Sequence, residues 1–233
     1  MGNIIMPPNR GIPDANTKLL ITSDYGAGTT FLDRATRKVI TNNNVTKSST
    51  QKRFGNTSAY FNGTSAYLTT TANSDFNLGN GAFTIDCWIY VTDLSKYEIL
   101  CSQYAYNTSG AWFITFAVNS IFGLYWTTDG TQATAAEVDV SWVKSVNTWY
   151  HIAVTRSGNN VRFFVNGIQQ GTTQTVTATF FTSTANFEIG HFLYAGTNYY
   201  FPGYIDEFRI SKGIARWTSN FTPPTRRYGH NSI

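Results

Sequence analysis

The chain has 233 residues, of which 42% are hydrophobic and 16% aromatic, enough to bury a sizeable core within one domain. Only 13% are charged, well below the roughly 25% of an average soluble protein. With a formal net charge of +4 and no basic helix interleaved with aromatics, nucleic acid is an unlikely partner, and neutral hydrogen-bonded contacts are favoured.

Residues 1–17 read as an extended arm, because Pro7, Pro8 and Pro13 interrupt any helix or central strand. Ile4, Ile5 and Met6 in that arm form an apolar hook that would anchor the chain if a neighbouring subunit offered a groove. The first ten residues hold no apolar run of signal-peptide length and nothing later could span a bilayer, so synthesis and release in a host cytoplasm are expected. The sequons at Asn44, Asn56, Asn62 and Asn107 then read as turn and loop chemistry.

From Lys18 onward, short segments of alternating aromatic and β-branched residues recur between Gly, Asn and Ser turns, the pattern of an all-β sandwich over 18–224. Strands are expected at Lys18–Thr22, Ala59–Asn62, Tyr67–Thr70, Phe83–Val91, Glu98–Ser102, Phe113–Val118 and Ile121–Trp126. Further strands are expected at Glu137–Val140, Trp149–Arg156, Val161–Val165, Ile168–Gly171, Phe187–Ile189 and Tyr204–Ile210, before a tail over 225–233. Ser157-Gly158-Asn159-Asn160 and Asn166-Gly167 are turn signals that join three of these strands into a meander.

Three segments carry a family likeness. Phe83-Thr84-Ile85-Asp86-Cys87-Trp88-Ile89-Tyr90-Val91, then Trp149-Tyr150-His151-Ile152-Ala153-Val154-Thr155-Arg156, then Tyr204-Ile205-Asp206-Glu207-Phe208-Arg209-Ile210-Ser211 occur in that order. Together with the hairpin Arg162-Phe163-Phe164-Val165-Asn166-Gly167, they resemble the laminin G-like, concanavalin A-like family. The resemblance implies an antiparallel β-sandwich of jelly-roll type. The closing stretch from Phe208 to Pro224, with Gly213-Ile214-Ala215-Arg216-Trp217, is most similar to such domains in proteins of tailed bacteriophages.

That likeness implies a non-enzymatic virion protein, a capsid decoration or cement protein on the particle surface, with other virion proteins of the capsid or tail as partners. The alternative it implies is a tail-associated adhesin that recognises a host cell-surface polysaccharide. A homo-oligomer, such as a trimer at a local threefold site, would suit either role. No membrane insertion is expected.

The family's glycosidases carry a Glu-apolar-Asp-apolar-Glu strand, and Glu137-Val138-Asp139-Val140-Ser141 resembles it except that Ser141 stands in place of the second Glu. Ser141 cannot replace that proton donor, so no catalytic residue is assigned and Glu137 and Asp139 read as a solvated strand edge. His151, His191 and His230 show no metal-ligand spacing, and His151 reads as a packed structural residue. Cys87 and Cys101 lie on expected strands and read as buried thiols, with a bridge between neighbouring strands as the alternative in an oxidising compartment. The cluster Arg34, Arg37, Lys38, Lys47, Lys52 and Arg53 reads as a solvated loop or as a basic docking face.

By resemblance, Asp24 at the end of the first strand and Asp206 are candidate ligands for one structural calcium ion, completed by carbonyls and waters. The remaining candidates are aromatics in expected loops: Tyr104, Tyr106, Trp112, Tyr194, Tyr199 and Tyr200. Flat rings with hydroxyls suit a glycan, and equally a protein surface.

Overall fold

The computed structural model describes residues 13–117 and 120–228. The arm residues Ile4, Ile5 and Met6, together with Val118 and His230, lie outside that range. Two antiparallel sheets pack face to face, and a small hairpin lies beside them.

The larger sheet runs, in spatial order, β13 (Ile168–Thr175), β12 (Asn160–Val165), β11 (Trp149–Ser157), β6 (Phe83–Val91), β17 (Pro202–Lys212), β4 (Ser58–Asn62) and β3 (Thr46–Ser48), with β1 (Thr17–Ile21) also on β17. The smaller runs β10 (Ala136–Ser141), β9 (Ile121–Trp126), β8 (Trp112–Ala117), β7 (Glu98–Gln103), β14 (Phe187–Ile189), β5 (Tyr67–Thr70) and β2 (Thr41–Asn43). The separate hairpin is β15 (His191–Tyr194) with β16 (Thr197–Tyr200).

Every strand expected from the sequence forms, with ends displaced by a few residues, and the meander β11-β12-β13 turns where expected. At its second turn Asn166 and Gly167 both take positive φ, 48° and 77°, the backbone that a two-residue hairpin requires. Four short strands were not expected: β2, β3, β15 and β16. β2 and β3 flank Asn44, at φ 58°, and pair into different sheets, so they mark the point where the chain crosses the sandwich.

Alternation supplies the core. Phe83, Ile85, Cys87, Ile89 and Val91 of β6 point inward and meet Ile114, Phe116, Phe122 and Leu124 from the opposite sheet. Cys87 and Cys101 are buried free thiols, and burial raises both thiol pKa values well above the usual range.

β17 sits in the middle of the larger sheet. One of its edges pairs with β6 along its length, while the other takes β4 at Pro202–Ile205 and then β1 at Phe208–Ser211. The changeover coincides with a bulge between Asp206 and Arg209, where Glu207 adopts φ 52°. At Gly203, φ is 145° and a Cβ would stand 2.1 Å from the Tyr90 carbonyl oxygen, so the close pairing with β6 requires glycine.

The outer face of the larger sheet is also covered, by the chain that follows β17. Trp217 and Phe221 stack on each other at 4.0 Å, and both rings contact His151 edge-on. Beneath them lies a buried polar group. Arg209 donates from Nε and Nη2 to Asp86 at 2.9 and 3.1 Å, and the Tyr228 hydroxyl donates to Asp86. His151 is fully buried with Nε2 3.4 Å from the Tyr228 hydroxyl, a packed structural histidine as expected.

Burial opposes ionisation of Asp86, but Arg209 and His151 outweigh it and hold the carboxyl at about 2. Because that value lies below the unfolded one of 3.8, the pair stabilises the fold above pH 3.8, and the contribution is lost as pH falls toward 2. Asp86→Ala strands a buried guanidinium and is expected to cost about 3–5 kcal/mol in urea unfolding, with loss of that acid-dependent component. A cost below about 1 kcal/mol, the level of an exposed pair, would contradict the buried assignment.

Candidate functional site

The central strands β8 and β9 of the smaller sheet carry aromatic residues on both faces. In β8, Trp112, Ile114 and Phe116 face the core, which sends Phe113 and Thr115 outward, and in β9 Tyr125 points outward beside Gly123. The β15–β16 hairpin folds over this outer face, rooted on β7 by hydrogen bonds from Gly190 N–H to the Leu100 carbonyl and from the Ser102 hydroxyl to the His191 carbonyl. Its turn, Ala195-Gly196, has φ 48° and 84°. β-alternation turns Phe192, Tyr194 and Tyr199 toward Phe113 and Tyr125 of β8 and β9, and puts His191 and Tyr200 on the hairpin's other face, against Tyr67 of β5.

The result is an aromatic groove of about 220 Å³ lined by Tyr97, Phe113, Tyr125, Phe192, Tyr194 and Tyr199, with Gln132 and Glu137 as its polar groups. The rings brace one another: Phe113 stacks on Tyr125 at 4.5 Å and packs on Phe192 at 4.3 Å, and Tyr97 meets Tyr199 edge-on at 5.5 Å.

Gln132 is placed by its loop. Its backbone N–H donates to Asn107 Oδ1 at 2.9 Å, the Tyr104 hydroxyl donates to its Oε1 at 2.9 Å, and its Nε2 donates to the Tyr125 hydroxyl. Asn107 reaches that position from φ 54°, so this sequon asparagine is loop chemistry as expected.

The candidate aromatics divide into three groups. Tyr194 and Tyr199 line the groove, Tyr106 sits at its rim against Tyr194 at 4.7 Å, and Tyr104 lies buried below it as the support for Gln132. Tyr200 faces the other way, against His191 and Tyr67. Trp112 is no loop residue: it begins β8, is fully buried, and donates its indole N–H to the Phe76 carbonyl at 2.9 Å inside the core.

Tyr97, Phe113, Tyr125, Phe192, Gln132 and Glu137 were not anticipated as binding residues. Their signal was the aromatics at Phe113 and Tyr125 between core residues, since an antiparallel strand that is apolar on both faces needs a cover or a ligand on its second face. Glu137, Asp139 and Ser141 do share the exposed face of edge strand β10, and Glu137 is the one carboxylate in the groove lining.

Asp24 and Asp206 do not fit calcium. Asp206 spends Oδ2 on the N–H groups of Arg53 and Phe54 and Oδ1 on that of Glu207, while Asp24 accepts from Asn56 and Thr57 and pairs with Arg227. Burial pushes Asp206 up to about 7 and its neighbour Glu207 up to about 8. Among the described residues, no group of three or more His, Cys, Asp or Glu is placed to hold a metal ion. The expected melting temperature is therefore the same in calcium and in chelator, and a rise with calcium would overturn this reading.

Arg37, Lys52 and Arg53 of the basic cluster are exposed, but four of its six residues have partners within the chain. Lys38 pairs with Asp75 at 2.6 Å, Lys47 donates to the carbonyls of Tyr25 and Gly26, and Arg34 and Arg53 lie over Tyr25 and Trp88. A depression of about 480 Å³ near Arg34 and Arg37 has neither converging rings nor an unspent carboxylate, because Asp33 accepts four backbone N–H groups.

His191 ties the hairpin down. Its Nδ1 is 2.7 Å from Glu188 and its Nε2 2.9 Å from Asn198 Oδ1; burial lowers its pKa, but these partners outweigh burial and raise it above 6.5. With the folded value raised, the stabilisation is complete below pH 6.5 and is lost as pH rises through the folded pKa. Amide exchange in β15 and β16 is expected to accelerate across that interval faster than in β6; parallel changes would contradict this role.

Residues 62–216 match the family described as the concanavalin A-like lectin/glucanases superfamily, Laminin_G_3. No curated protein sequence matches the chain. Among solved structures, the binding domain of Paraclostridial Mosquitocidal Protein 1 aligns with a TM-score of 0.65 at 14% identity, covering 84% of this chain and 49% of that one. The botulinum neurotoxin DC binding domain in complex with SialylT aligns with a TM-score of 0.62 at 14% identity, over 86% and 49%. The same domain in complex with rat synaptotagmin II aligns at 0.62 and 15% identity, over 85% and 49%. The chain thus spans about half the length of these structures, and the likeness is one of fold.

Proposed function

Because this chain belongs to the concanavalin A-like lectin/glucanases superfamily, we propose that it is a non-enzymatic binding domain whose aromatic groove holds a sugar of a cell-surface glycan. The observation that carries this reading is the convergence of six aromatic side chains with one fixed amide and one carboxylate around a cavity of about 220 Å³. That is small beside the roughly 300–1,000 Å³ of pockets that enclose a drug-sized ligand, which suits a single sugar unit of a larger glycan. Ring faces pack on the C–H side of a pyranose while Gln132 and the tyrosine hydroxyls meet its hydroxyls.

Hydrolysis has less support. Glycoside cleavage uses two carboxyl groups on either side of the scissile bond, and the groove lining supplies Glu137 alone. Structures of similar fold were solved with SialylT and with synaptotagmin bound, which favours the adhesin, the alternative reading of the sequence, over its first reading of capsid decoration. A virion mounting, at the tail or on the capsid, is the wider setting we propose for such a domain.

A glycan array followed by titration of the best ligand tests the reading. Tyr199→Ala and Tyr97→Ala are each expected to weaken binding about tenfold, the scale of losing one packed ring. β-sheet circular dichroism should remain unchanged. Binding that survives both substitutions would move the site off the groove.

A further inference from the structure

The groove has a sign of charge. Of its eight lining residues, six are aromatic, one is an amide and one is a carboxylate; no Lys, Arg or His is among them. The face of an aromatic ring is the negative side of its quadrupole, and Tyr97, Tyr125, Tyr194 and Tyr199 line the same groove as Glu137. Asp139 extends the same exposed row of β10 beyond Glu137.

Burial is the main reason that the phenols of Tyr97, Tyr125 and Tyr194 lie above their ordinary range; hydrogen bonds with Thr115 and Gln132 oppose the rise at Tyr97 and Tyr125, and Glu137 and neighbouring phenols add to it. No cation contributes to any of these shifts.

We infer that the groove selects its glycan by charge, holding an amino sugar with its ammonium between Glu137 and the tyrosine faces, taking a neutral sugar less tightly and rejecting an acidic one. The inference rests on the proposed glycan-binding function and adds a chemical class to it. An ammonium gains an ion pair and a cation–π contact in a site already built for the ring, whereas a uronic or sialic carboxylate meets Glu137 with no compensating cation.

Titration calorimetry at mildly acidic pH and low salt, with matched tetramers of glucosamine, glucose and glucuronic acid, reads the ranking directly. The amino tetramer is expected to bind about three- to tenfold tighter than the neutral one, the acidic tetramer weakest, with the spread shrinking as salt is added. Glu137→Gln should bring the amino tetramer down toward the neutral one and improve the acidic tetramer. Glu137 is an exposed strand residue, so the variant is expected to fold, and circular dichroism checks it.

Equal affinities, or tightest binding of the acidic tetramer, would overturn charge selection while leaving the groove a glycan site, provided that Tyr199→Ala still weakens binding about tenfold. If none of the three binds and the glycan array is also blank, the glycan-binding function itself fails and charge selection falls with it.

Discussion

The central position of β17 is the constraint on which the rest of the fold depends. The last strand of the sandwich lies between β6 on one edge and β4 and β1 on the other, so the larger sheet cannot close until nearly the whole chain is present. Its two unusual features serve that position. Gly203 allows the backbone to approach Tyr90, and the bulge at Asp206 and Glu207 shifts the register where β4 gives way to β1. The buried Asp206 carboxylate then holds the Arg53–Phe54 backbone against the bulge. Long-range antiparallel pairing of this kind is slow to form and cooperative once formed.

The two outer faces have different fates. The face of the larger sheet is covered by the chain's own C-terminal segment, with Trp217 and Phe221 on His151 and with Tyr228 on Asp86, which is why β6 is buried on both sides. The face of the smaller sheet is only partly covered, by the β15–β16 hairpin, and the uncovered remainder is the groove. The same device, an aromatic second face under a cover, gives a sealed surface on one side and an open groove on the other.

Much of the sandwich could be read from alternation alone. Phe83 to Val91 and Trp149 to Arg156 carry inward residues at every second position, and Asn166-Gly167 is a hairpin turn whichever protein contains it. The hairpin that completes the site was harder to see, because Ala195 holds the positive φ usually given to Asn or Gly and the flanking strands have only four residues each. Trp112 was misplaced because the strand was expected to begin at Phe113, and one aromatic beside Gly110-Ala111 carries no local signal that separates a first strand residue from a loop residue. Tyr104, Tyr106, Tyr194 and Tyr199 did come together at one site, although 88 residues separate Tyr106 from Tyr194.

The sequence by itself determined the all-β class, the family likeness, most strand positions, and a stock of aromatics in excess of what one core requires. These follow from local geometry, since a strand repeats every two residues and a turn is set by a few backbone angles. Only the tertiary structure decided which aromatics face outward, that Asp24 and Asp206 bind N–H donors, and that Glu137 joins Gln132 in the lining of the groove that the hairpin completes. Those outcomes depend on which distant strands become neighbours and on what covers each face, and neither is encoded within a window of sequence.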